Sequence, residues 1–463
     1  MKTEQVTLKY DVGTIVLKGL QDHHPILKAV DDILWDPRTL QFRAPAMAYR
    51  EIVLWAREHG LPLDDQARHY EKFPAPLKKP LVPRPHQKMA IQAWEDHGYR
   101  GVVCLPTGAG KTILAVMAIS RVSRPTLIVV PTIDLLQQWQ EILESFLGRE
   151  IGALGGGQKQ ILEVTVTTYD SASTYIESLG SRFGFLVFDE CHHLPANHYQ
   201  SIAKGSLAPF RLGLSATPER SDGRESVLFD ILGGLVYRGQ IKEMVDKVLS
   251  PYDVVNIEVP LSDEEFAQYT EARQRYVGFL RSNSINMSSS HGWGQFLRLS
   301  SFRPGGQEAL KAYRLQKKLA QGSHNKVLQL WEILMDHQED RVLVFTNDNE
   351  LAYRIGRELV LPVLTHQTKL SERKELLSCF RDGRINVLVT SKVLNEGVDV
   401  PEASVAIVVS GSSAVREHVQ RLGRILRHRP GKRAILYEIV SKETSEVYAN
   451  KRRRNHSAYQ RSP

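Results

Sequence analysis

Alternating apolar and polar residues open the chain and predict a small domain of strands and one helix. Val6–Tyr10 and Thr14–Leu17 have the spacing of two strands, and Ala46–His59 has that of a helix with Ile52, Val53 and Leu54 on its apolar side. Gly60 follows the helix directly, as is common after a helix end. Five prolines between positions 74 and 85 then predict a stiff, extended linker. We therefore expect an N-terminal α+β domain with its linker over residues 1–80.

From residue 101 onward, short apolar runs alternate with stretches of helical spacing. Such runs are typical of parallel strands that are buried on both faces and joined by helices. Four runs occupy residues 101–105, 126–130, 185–188 and 211–214, and four more occupy residues 341–345, 385–389, 405–409 and 434–437. The sequence therefore predicts an α/β fold with two parallel-sheet lobes, over residues 81–245 and 325–463.

Residues 246–324 separate the two lobes and differ from them in pattern. From about residue 255 this stretch is polar, charged and helix-prone, with a Ser/Gly-rich interruption from Ser282 to Gly294. It predicts a linker followed by an inserted helical arm. Six basic residues in its second half fit a solvated helix face and a phosphate-tracking surface equally well: Arg298, Arg303, Lys311, Arg314, Lys317 and Lys318.

Composition narrows the class of protein without identifying a partner. The 463 residues carry a net charge of +8, and no apolar run approaches the roughly 20 residues that span a bilayer. We therefore expect a cytoplasmic protein with no membrane partner. The small charge excess permits nucleic-acid binding but does not show it. Three widely spaced cysteines are too few for a disulfide framework, a zinc finger or an ordinary iron–sulfur cluster: Cys104, Cys191 and Cys379.

The segment LPTGAGKT, residues 105–112, carries the most specific chemical signal in the chain. It follows an apolar strand and opens a helix, so its glycines let backbone N–H groups approach phosphate oxygens beside a positive helix N-terminus. We expect Lys111 to reach the β and γ phosphates of ATP and the Thr112 hydroxyl to bind Mg²⁺. The other expected phosphate-binding residues are Thr107, Gly108, Ala109 and Gly110.

Two adjacent carboxylates follow the apolar run that ends at residue 188. At this strand end, we expect Asp189 to hold Mg²⁺ together with Thr112, and Glu190 to orient the attacking water. Residues 191–198 add one cysteine and three histidines, but their spacing fits no common structural zinc site. We expect His192 instead to contact the neighbouring lobe or the switch segment.

The second lobe has no phosphate loop and offers QRLGRILR at residues 420–427 instead. Arg424 and Arg427 share one face of the predicted helix, and a guanidinium aimed at the γ-phosphate can supply roughly 10³–10⁵ in rate. A surface salt-bridge helix, worth about 0–1 kcal/mol per pair, is the alternative. We expect both arginines, with Gln420, to act in catalysis. ATP would then sit in a cleft between the lobes, and the cleft would close on binding and relax on hydrolysis.

These segments resemble superfamily two helicases of the DExH type, and nearly the whole chain resembles the archaeal and bacterial branch of the XPB family of DNA repair helicases. The resemblance implies two RecA-like lobes, an N-terminal domain similar to the family's damage-recognition domain, and an arm similar to its thumb. The further matching segments are Arg84–Gln87, Pro131–Thr132 with Leu135 and Trp139, Thr167–Tyr169, Ser215–Pro218, Thr390, Asn395–Asp399 and the basic end Thr444–Arg454.

The resemblance also implies an activity: ATP- and Mg²⁺-dependent, 3′-to-5′ DNA helicase or double-strand DNA translocase action in nucleotide excision repair. DNA is the implied partner, which would associate the protein with the nucleoid. Archaeal members often pair with a nuclease, so a nuclease partner protein is implied as well.

Individual roles are likewise implied by the resemblance. Adenine recognition and the rest of the nucleotide site would use Arg84, Gln87, Gly397 and Asp399. The DNA groove would include Pro131, Thr132, Thr167 and Thr390. Coupling between the lobes would use His192, Ser215, Ala216 and Thr217. The family's strand-opening trio is Arg-Glu-Asp, and the corresponding residues of this chain are Arg220, Ser221 and Asp222.

Three alternatives stay open on the sequence. A motor subunit of a restriction-type system shares the same core, although the N-terminal unit counts against it. A DNA-binding scaffold with weak ATPase activity is disfavoured because the chain keeps Lys111, Asp189, Glu190 and both arginines. A motor on RNA is harder to exclude, since such grooves follow backbones and not bases.

Overall fold

The computed structural model of the protein describes residues 5–217, 223–239, 252–289, 291–391, 403–410 and 434–447. The chain divides into two units, Met1–Gly239 and Gln240–Pro463. The first unit contains the N-terminal domain and one parallel sheet, and the second contains the helical arm and another parallel sheet. Among the described residues, none of the helices combines the length and the apolar character needed to cross a membrane.

The N-terminal domain is a mixed sheet covered by helices. Its elements are β1 (Val6–Asp11), β2 (Thr14–Lys18), α1 (Ile26–Ala29), β3 (Leu34–Asp36), β4 (Gln41–Pro45), a 3₁₀ turn (Ala46–Ala48), α2 (Tyr49–Glu58) and β5 (Leu63–Asp65). The strand order is β3-β4-β2-β1-β5. Leu54 was predicted on the buried side of α2 and is 49% exposed. The prediction was wrong for Leu54 but is confirmed for Ile52, because Ile52 and Ala56, four apart, define the buried face and Leu54 points away from it.

The N-terminal domain is docked on the first parallel sheet through close backbone contacts. The Tyr10 hydroxyl donates hydrogen bonds to the carbonyls of Ile176 (3.1 Å) and Gly205 (2.9 Å). Gly180 permits this approach, since a Cβ there would lie 2.0 Å from the Gly205 carbonyl oxygen. Leu207, which belongs to the sheet domain by sequence, is buried within the N-terminal core. The two parts of the first unit therefore share apolar packing.

The first parallel sheet has eight strands in the part of the chain that the structure describes. Its strands are β6 (Arg100–Cys104), β7 (Thr126–Val130), β8 (Gly152–Gly155), β9 (Gln158–Gln160), β10 (Val164–Thr168), β11 (Phe185–Asp189), β12 (Phe210–Ser215) and β13 (Leu235–Arg238). The helices are α3 (Pro85–Asp96), α4 (Lys111–Val122), α5 (Ile133–Leu147), α6 (Tyr169–Leu179), a 3₁₀ turn (Cys191–His193), α7 (Gln200–Lys204) and α8 (Glu225–Leu232).

Its strand order is β13-β6-β12-β11-β7-β10-β8-β9, and every pair except β8–β9 is parallel. Strands β7, β10 and β11 are buried at every position. Burial on both faces explains why these strands are continuous apolar runs in the sequence. The result is a RecA-like α/β lobe whose strand ends share one edge.

Within its described residues, the second unit forms a sheet of six strands whose pairs are all parallel. Its strands are β14 (Tyr252–Val259), β15 (Val342–Phe345), β16 (Val363–Leu364), β17 (Val387–Thr390), β18 (Val405–Val408) and β19 (Ala434–Ser441), in the order β14-β19-β18-β15-β17-β16. Its helices are α9 (Asp263–Ser282), α10 (Gly292–Phe302), α11 (Gly306–Gln321), α12 (His324–Asp336), α13 (Asn349–Glu358) and α14 (Leu370–Arg381). The predicted fold class, with two RecA-like lobes, is confirmed.

Strand β14 departs from the prediction, which included residues 255–259 in the helical arm. It pairs with β19 along its whole length, from Tyr252 opposite Ala434 to Val259 opposite Ser441. Local sequence does not identify this strand, because its partner strand, β19, comes much later in the sequence, after the arm and four other strands. The second sheet therefore begins before the arm, and the arm is an insertion within the lobe.

The arm consists of α9, α10 and α11 packed around an aromatic core that includes the fully buried Phe296. A capping box starts α9: Glu265 N–H donates to the Ser262 hydroxyl, and Ser262 N–H donates back to the Glu265 carboxylate. The six basic side chains named above are exposed, and Lys318 forms an ion pair with Glu350. Whether the others follow a phosphate backbone stays a prediction.

Candidate nucleotide site and nucleic-acid groove

The predicted site residues of the first unit meet at the carboxyl edge of its parallel sheet. Strands β6, β12, β11, β7 and β10 lie side by side in that order. Lys111 follows β6, Ser215 ends β12, Asp189 ends β11, Pro131 follows β7 and Thr168 ends β10. Ligand sites in open α/β sheets form at this edge. Segments far apart in sequence thus become neighbours.

The phosphate loop has a backbone that only glycine adopts easily. Gly108 and Gly110 have positive φ angles of 84° and 87°. A Cβ on Gly110 would also lie 2.4 Å from the Gln87 side-chain nitrogen. The Thr107 hydroxyl is buried and has no hydrogen-bond partner within the described part of the chain. The loop therefore offers a polar cradle of the kind that fits phosphate oxygens.

Helix α3 supports this loop from behind. The Gln87 amide nitrogen donates to the carbonyls of Ala109 and Gly110, each at 3.3 Å, and its oxygen accepts from Arg84 N–H at 2.9 Å. His86 Nε2 lies 2.8 Å from the same Ala109 carbonyl oxygen. Gln87 thus shapes the loop, and its predicted contact with adenine stays a prediction. His86 belongs to the matching segment Arg84–Gln87, but the sequence did not predict that His86 contacts the phosphate loop.

Lys111 and the two carboxylates form a compact charged group. Lys111 Nζ lies 3.0 Å from Glu190 Oε1, and the two side chains are only 11% and 13% exposed. Burial lowers the pKa of Lys111, but the charges of Glu190 and Asp189 outweigh this, and the net pKa is raised. Lys111 is therefore a firmly protonated cation. Burial, and then the charge of Glu190, raise the pKa of Asp189 to about 6, with Lys111 opposing them.

Two buried aromatic residues hold the Asp189–Glu190 segment. Trp139 Nε1 donates to Asp189 Oδ2 at 3.0 Å, and the Tyr169 hydroxyl donates to the Asp189 carbonyl at 3.0 Å. Glu190 N–H donates to Asp189 Oδ1 at 3.0 Å, and Glu190 has a left-handed φ of 46°, which costs roughly 1–2 kcal/mol. The sequence resemblance identified Trp139 and Tyr169 as motif positions but implied no role for either residue.

Thr112 and Asp189 suit the Mg²⁺ that the sequence resemblance implies. Magnesium prefers oxygen ligands and binds with one or two carboxylates plus phosphates and water. Each Asp189 oxygen accepts one hydrogen bond from the protein and retains acceptor capacity. The Thr112 hydroxyl stands in the first turn of α4, directly after Lys111. This donor set fits a phosphate-bound metal. For the described residues, no cluster of three or more His, Cys, Asp and Glu is arranged to hold a metal.

Three of the four predicted coupling residues, His192, Ser215 and Thr217, form one hydrogen-bonded group. His192 Nδ1 lies 3.3 Å from the Ser215 hydroxyl, which also accepts from Thr217 N–H at 3.2 Å. The Ala216 carbonyl accepts from the Cys104 thiol at 3.2 Å. The ends of β6, β11 and β12 are thereby connected.

The residues predicted along the DNA groove differ in exposure. Thr132 and Thr168 cap α5 and α6, since each side chain accepts a backbone N–H of the first helical turn. Pro131 is partly exposed beside Thr132. The hydroxyls of Thr167 and Thr390 are buried and donate to backbone carbonyls of the protein. Contact with DNA at these last two positions would therefore use the backbone.

Several predicted site residues lie outside the described residues, so their roles stay predictions. They are Arg220, Ser221, Asp222, Gly397, Asp399, Gln420, Arg424 and Arg427. The basic run Lys451–Arg454 lies outside them as well.

A phosphate loop, an Asp-Glu pair and a Ser-Ala-Thr segment on one edge of a parallel sheet define a nucleotide-hydrolysing motor core of the superfamily two type. Three family models match the chain: type III restriction enzyme, res subunit, at residues 80–220; ERCC3/RAD25/XPB C-terminal helicase at 310–460; and xeroderma pigmentosum group B helicase damage recognition domain at 8–67. The chain belongs to the XPB family, as its relatives also show.

Among those relatives is the DNA 3′-5′ translocase XPB2 of Sulfurisphaera tokodaii, which is 38% identical over 91% of this chain and 95% of its own length. The DNA 3′-5′ helicase XPB of Mycobacterium tuberculosis is 31% identical over 85% of this chain and 68% of its own length. Among solved structures, the Pyrococcus furiosus Hef helicase domain matches 80% of this chain and 98% of that chain, with a TM-score of 0.48 and 20% identity.

Proposed function

We propose that this protein is an ATP-dependent DNA motor of 3′-to-5′ polarity that acts in DNA repair, by translocation along duplex DNA. One observation carries the proposal: Lys111 and Glu190 lie 3.0 Å apart beside Asp189, at the sheet edge where α5 and α6 also begin. A site for ATP chemistry and two candidate DNA-binding helix starts are thus adjacent. The names of the relatives support DNA as the substrate and support the polarity.

Lys111 and Glu190 have complementary tasks in the hydrolysis that we propose. The loop amides bind the triphosphate. Lys111 then leaves Glu190 and binds the β and γ phosphates. Glu190, released from its cation, then orients the attacking water. Thr112 and Asp189 would hold Mg²⁺, whose charge would offset that of the phosphates. Arg424 and Arg427 are proposed to complete the site from the second lobe.

Helices α5 and α6 supply the proposed DNA contacts. They are 15 and 11 residues long, and the N–H groups of their first turns favour backbone phosphates. Each first turn also holds an aspartate, Asp134 or Asp170, and the Asp170 carboxylate accepts a hydrogen bond from the Tyr199 hydroxyl at 2.8 Å. Backbone contacts carry no sequence information, which suits a motor that must move along any sequence.

Ser221 in place of the family's glutamate favours translocation over strand separation as the main activity.

The restriction-system alternative has one observation in its favour, the match of residues 80–220 to a type III restriction subunit. That match covers only the motor core, whereas residues 8–67 and 310–460 match XPB-specific models. The resemblance to archaeal members supports a nuclease partner, and action on DNA supports a place in the nucleoid.

Steady-state ATP turnover across a panel of nucleic acids tests the proposal. We expect duplex and forked DNA to raise turnover about ten-fold or more over the rate without DNA, and RNA to have little effect. Strand displacement on the forked substrate should be slow relative to ATP turnover. Equal rates with and without DNA would contradict a DNA motor, and stimulation by RNA alone would favour a motor on RNA.

A further inference from the structure

Two buried aromatic side chains reach the nucleotide site from the helices that we propose to contact DNA. Trp139, on α5, donates to the Asp189 carboxylate at 3.0 Å, and Tyr169, on α6, donates to the backbone carbonyls of Asp189 (3.0 Å) and Glu190 (3.5 Å). The two residues are only 1% and 2% exposed. They therefore hold the Asp189–Glu190 segment by fixed, water-excluded hydrogen bonds.

Each aromatic residue is close in sequence to a helix start. Tyr169 is the first residue of α6 and directly follows its cap, Thr168. Trp139 lies about two turns, or roughly 10 Å, along α5 from its cap, Thr132. A helix moves nearly as a rigid rod over such a distance. A shift of either helix on binding phosphate would therefore change a hydrogen bond at Asp189 or Glu190.

The Asp189–Glu190 segment, which accepts these hydrogen bonds, can change its conformation when they change. Glu190 has a left-handed backbone, and its carboxylate is held by Lys111 at 3.0 Å. A strained conformation of this kind persists only while its surroundings enforce it. Tyr169 packs against the rings of Phe188 and His193, so the close-packed interior leaves little room to absorb a movement. A change in the Tyr169 bond would thus alter the orientation of Glu190.

We infer that Trp139 and Tyr169 are positioning residues that transmit DNA contact at α5 and α6 to Asp189 and Glu190, and so produce part of the DNA stimulation of ATP turnover. This inference rests on the proposed function. The two side chains act through the Asp189 carboxylate and the backbone of Asp189 and Glu190, and neither is assigned a contact with ATP or DNA. The starts of α5 and α6 are thus both connected to one catalytic segment, which makes hydrolysis sensitive to DNA that is bound at both helices.

The test uses Trp139→Phe and Tyr169→Phe in the full chain, with ATP turnover measured with and without saturating duplex DNA. We expect the ratio of DNA-stimulated to basal turnover to fall at least five-fold in each variant, through kcat. The KM for ATP and the affinity for duplex DNA should stay within about two-fold of the unaltered protein. A purely structural role would instead lower basal and DNA-stimulated turnover together, and so keep their ratio, or would weaken the binding of ATP and DNA.

Two matched control variants lose similar hydrogen bonds elsewhere in the first unit. Trp94 is also fully buried and donates its indole N–H to the Arg211 carbonyl at 2.9 Å. The Tyr10 hydroxyl, like that of Tyr169, donates to two backbone carbonyls. Trp94→Phe and Tyr10→Phe should therefore lose comparable stability but keep the stimulation ratio.

The outcomes separate this inference from the proposed function. If the unaltered protein shows no DNA stimulation, the proposed function fails. If it is stimulated and both variants keep its ratio, or the controls lose as much, the inference is overturned and the function stands. Should Trp139→Phe fold poorly, Tyr169→Phe, which removes one oxygen atom only, decides the matter alone.

Discussion

Replacing Lys111 with alanine is expected to lower DNA-stimulated ATP turnover by at least about 10²–10³-fold, a loss typical of removing a group that stabilises transition-state charge. Lys111 stands at the end of the phosphate loop, and neighbouring carboxylates keep its pKa raised, so it supplies a permanent positive charge. The affinity for duplex DNA should change less than about two-fold, because the proposed DNA contacts lie on other elements. Coupled ATPase and fluorescence-anisotropy assays measure the two quantities.

The exposed Lys159, whose ammonium lies over the Tyr175 ring, provides a control of equal charge. Lys159→Ala should keep full turnover. Since Lys111→Ala also leaves Glu190 without this partner, thermal unfolding must be followed in parallel. Turnover within a few-fold of the unaltered protein, in a folded Lys111→Ala variant, would show that another residue binds the γ-phosphate.

Replacing Arg424 or Arg427 with alanine is expected to lower kcat for ATP hydrolysis by about 10³–10⁵-fold while nucleotide binding is largely kept. The reason is that an arginine aimed at the γ-phosphate stabilises charge in the transition state and contributes less to ground-state binding. Single-turnover hydrolysis measures the loss, and binding of a fluorescent ATP analogue measures the affinity. These residues lie outside the described part of the chain, so the expectation comes from their sequence pattern.

Arg433→Ala is the matched control, because it removes a guanidinium beyond Pro430, after the end of the predicted helix. We expect it to leave kcat within about two-fold. If weaker ATP binding accounts for the whole loss of turnover, Arg424 and Arg427 act in ATP binding and not in catalysis. Unchanged kcat in both variants would show that no arginine of this helix serves the reaction.

Much of the first unit could be predicted because its strands are buried on both faces. The run at 126–130 is the strand Thr126–Val130, and the run at 185–188 is Phe185–Asp189. The phosphate loop could be placed because its glycines, its lysine and the flanking strand and helix must occur together. Parallel strands also share a carboxyl edge, which explains why the motifs at the strand ends meet there.

The features that could not be predicted depend on distant partners. Strand β14 pairs with β19, which is separated from it by the arm and four other strands, so its own residues did not distinguish strand from linker. Trp139 and Tyr169 could be recognised as motif positions in the sequence, but only the fold brings their polar atoms to Asp189. Docking of Tyr10 on Gly205 likewise requires two surfaces that no local pattern describes.

The central claim is that ATP hydrolysis at Lys111, Asp189 and Glu190 moves the protein along duplex DNA. Displacement of a third DNA strand from a triplex measures such movement directly, without requiring the duplex to open. We predict ATP-dependent displacement by the unaltered protein and none by Lys111→Ala. Rapid DNA-stimulated ATP turnover with no displacement of the third strand, on tracks long enough to allow it, would contradict the claim.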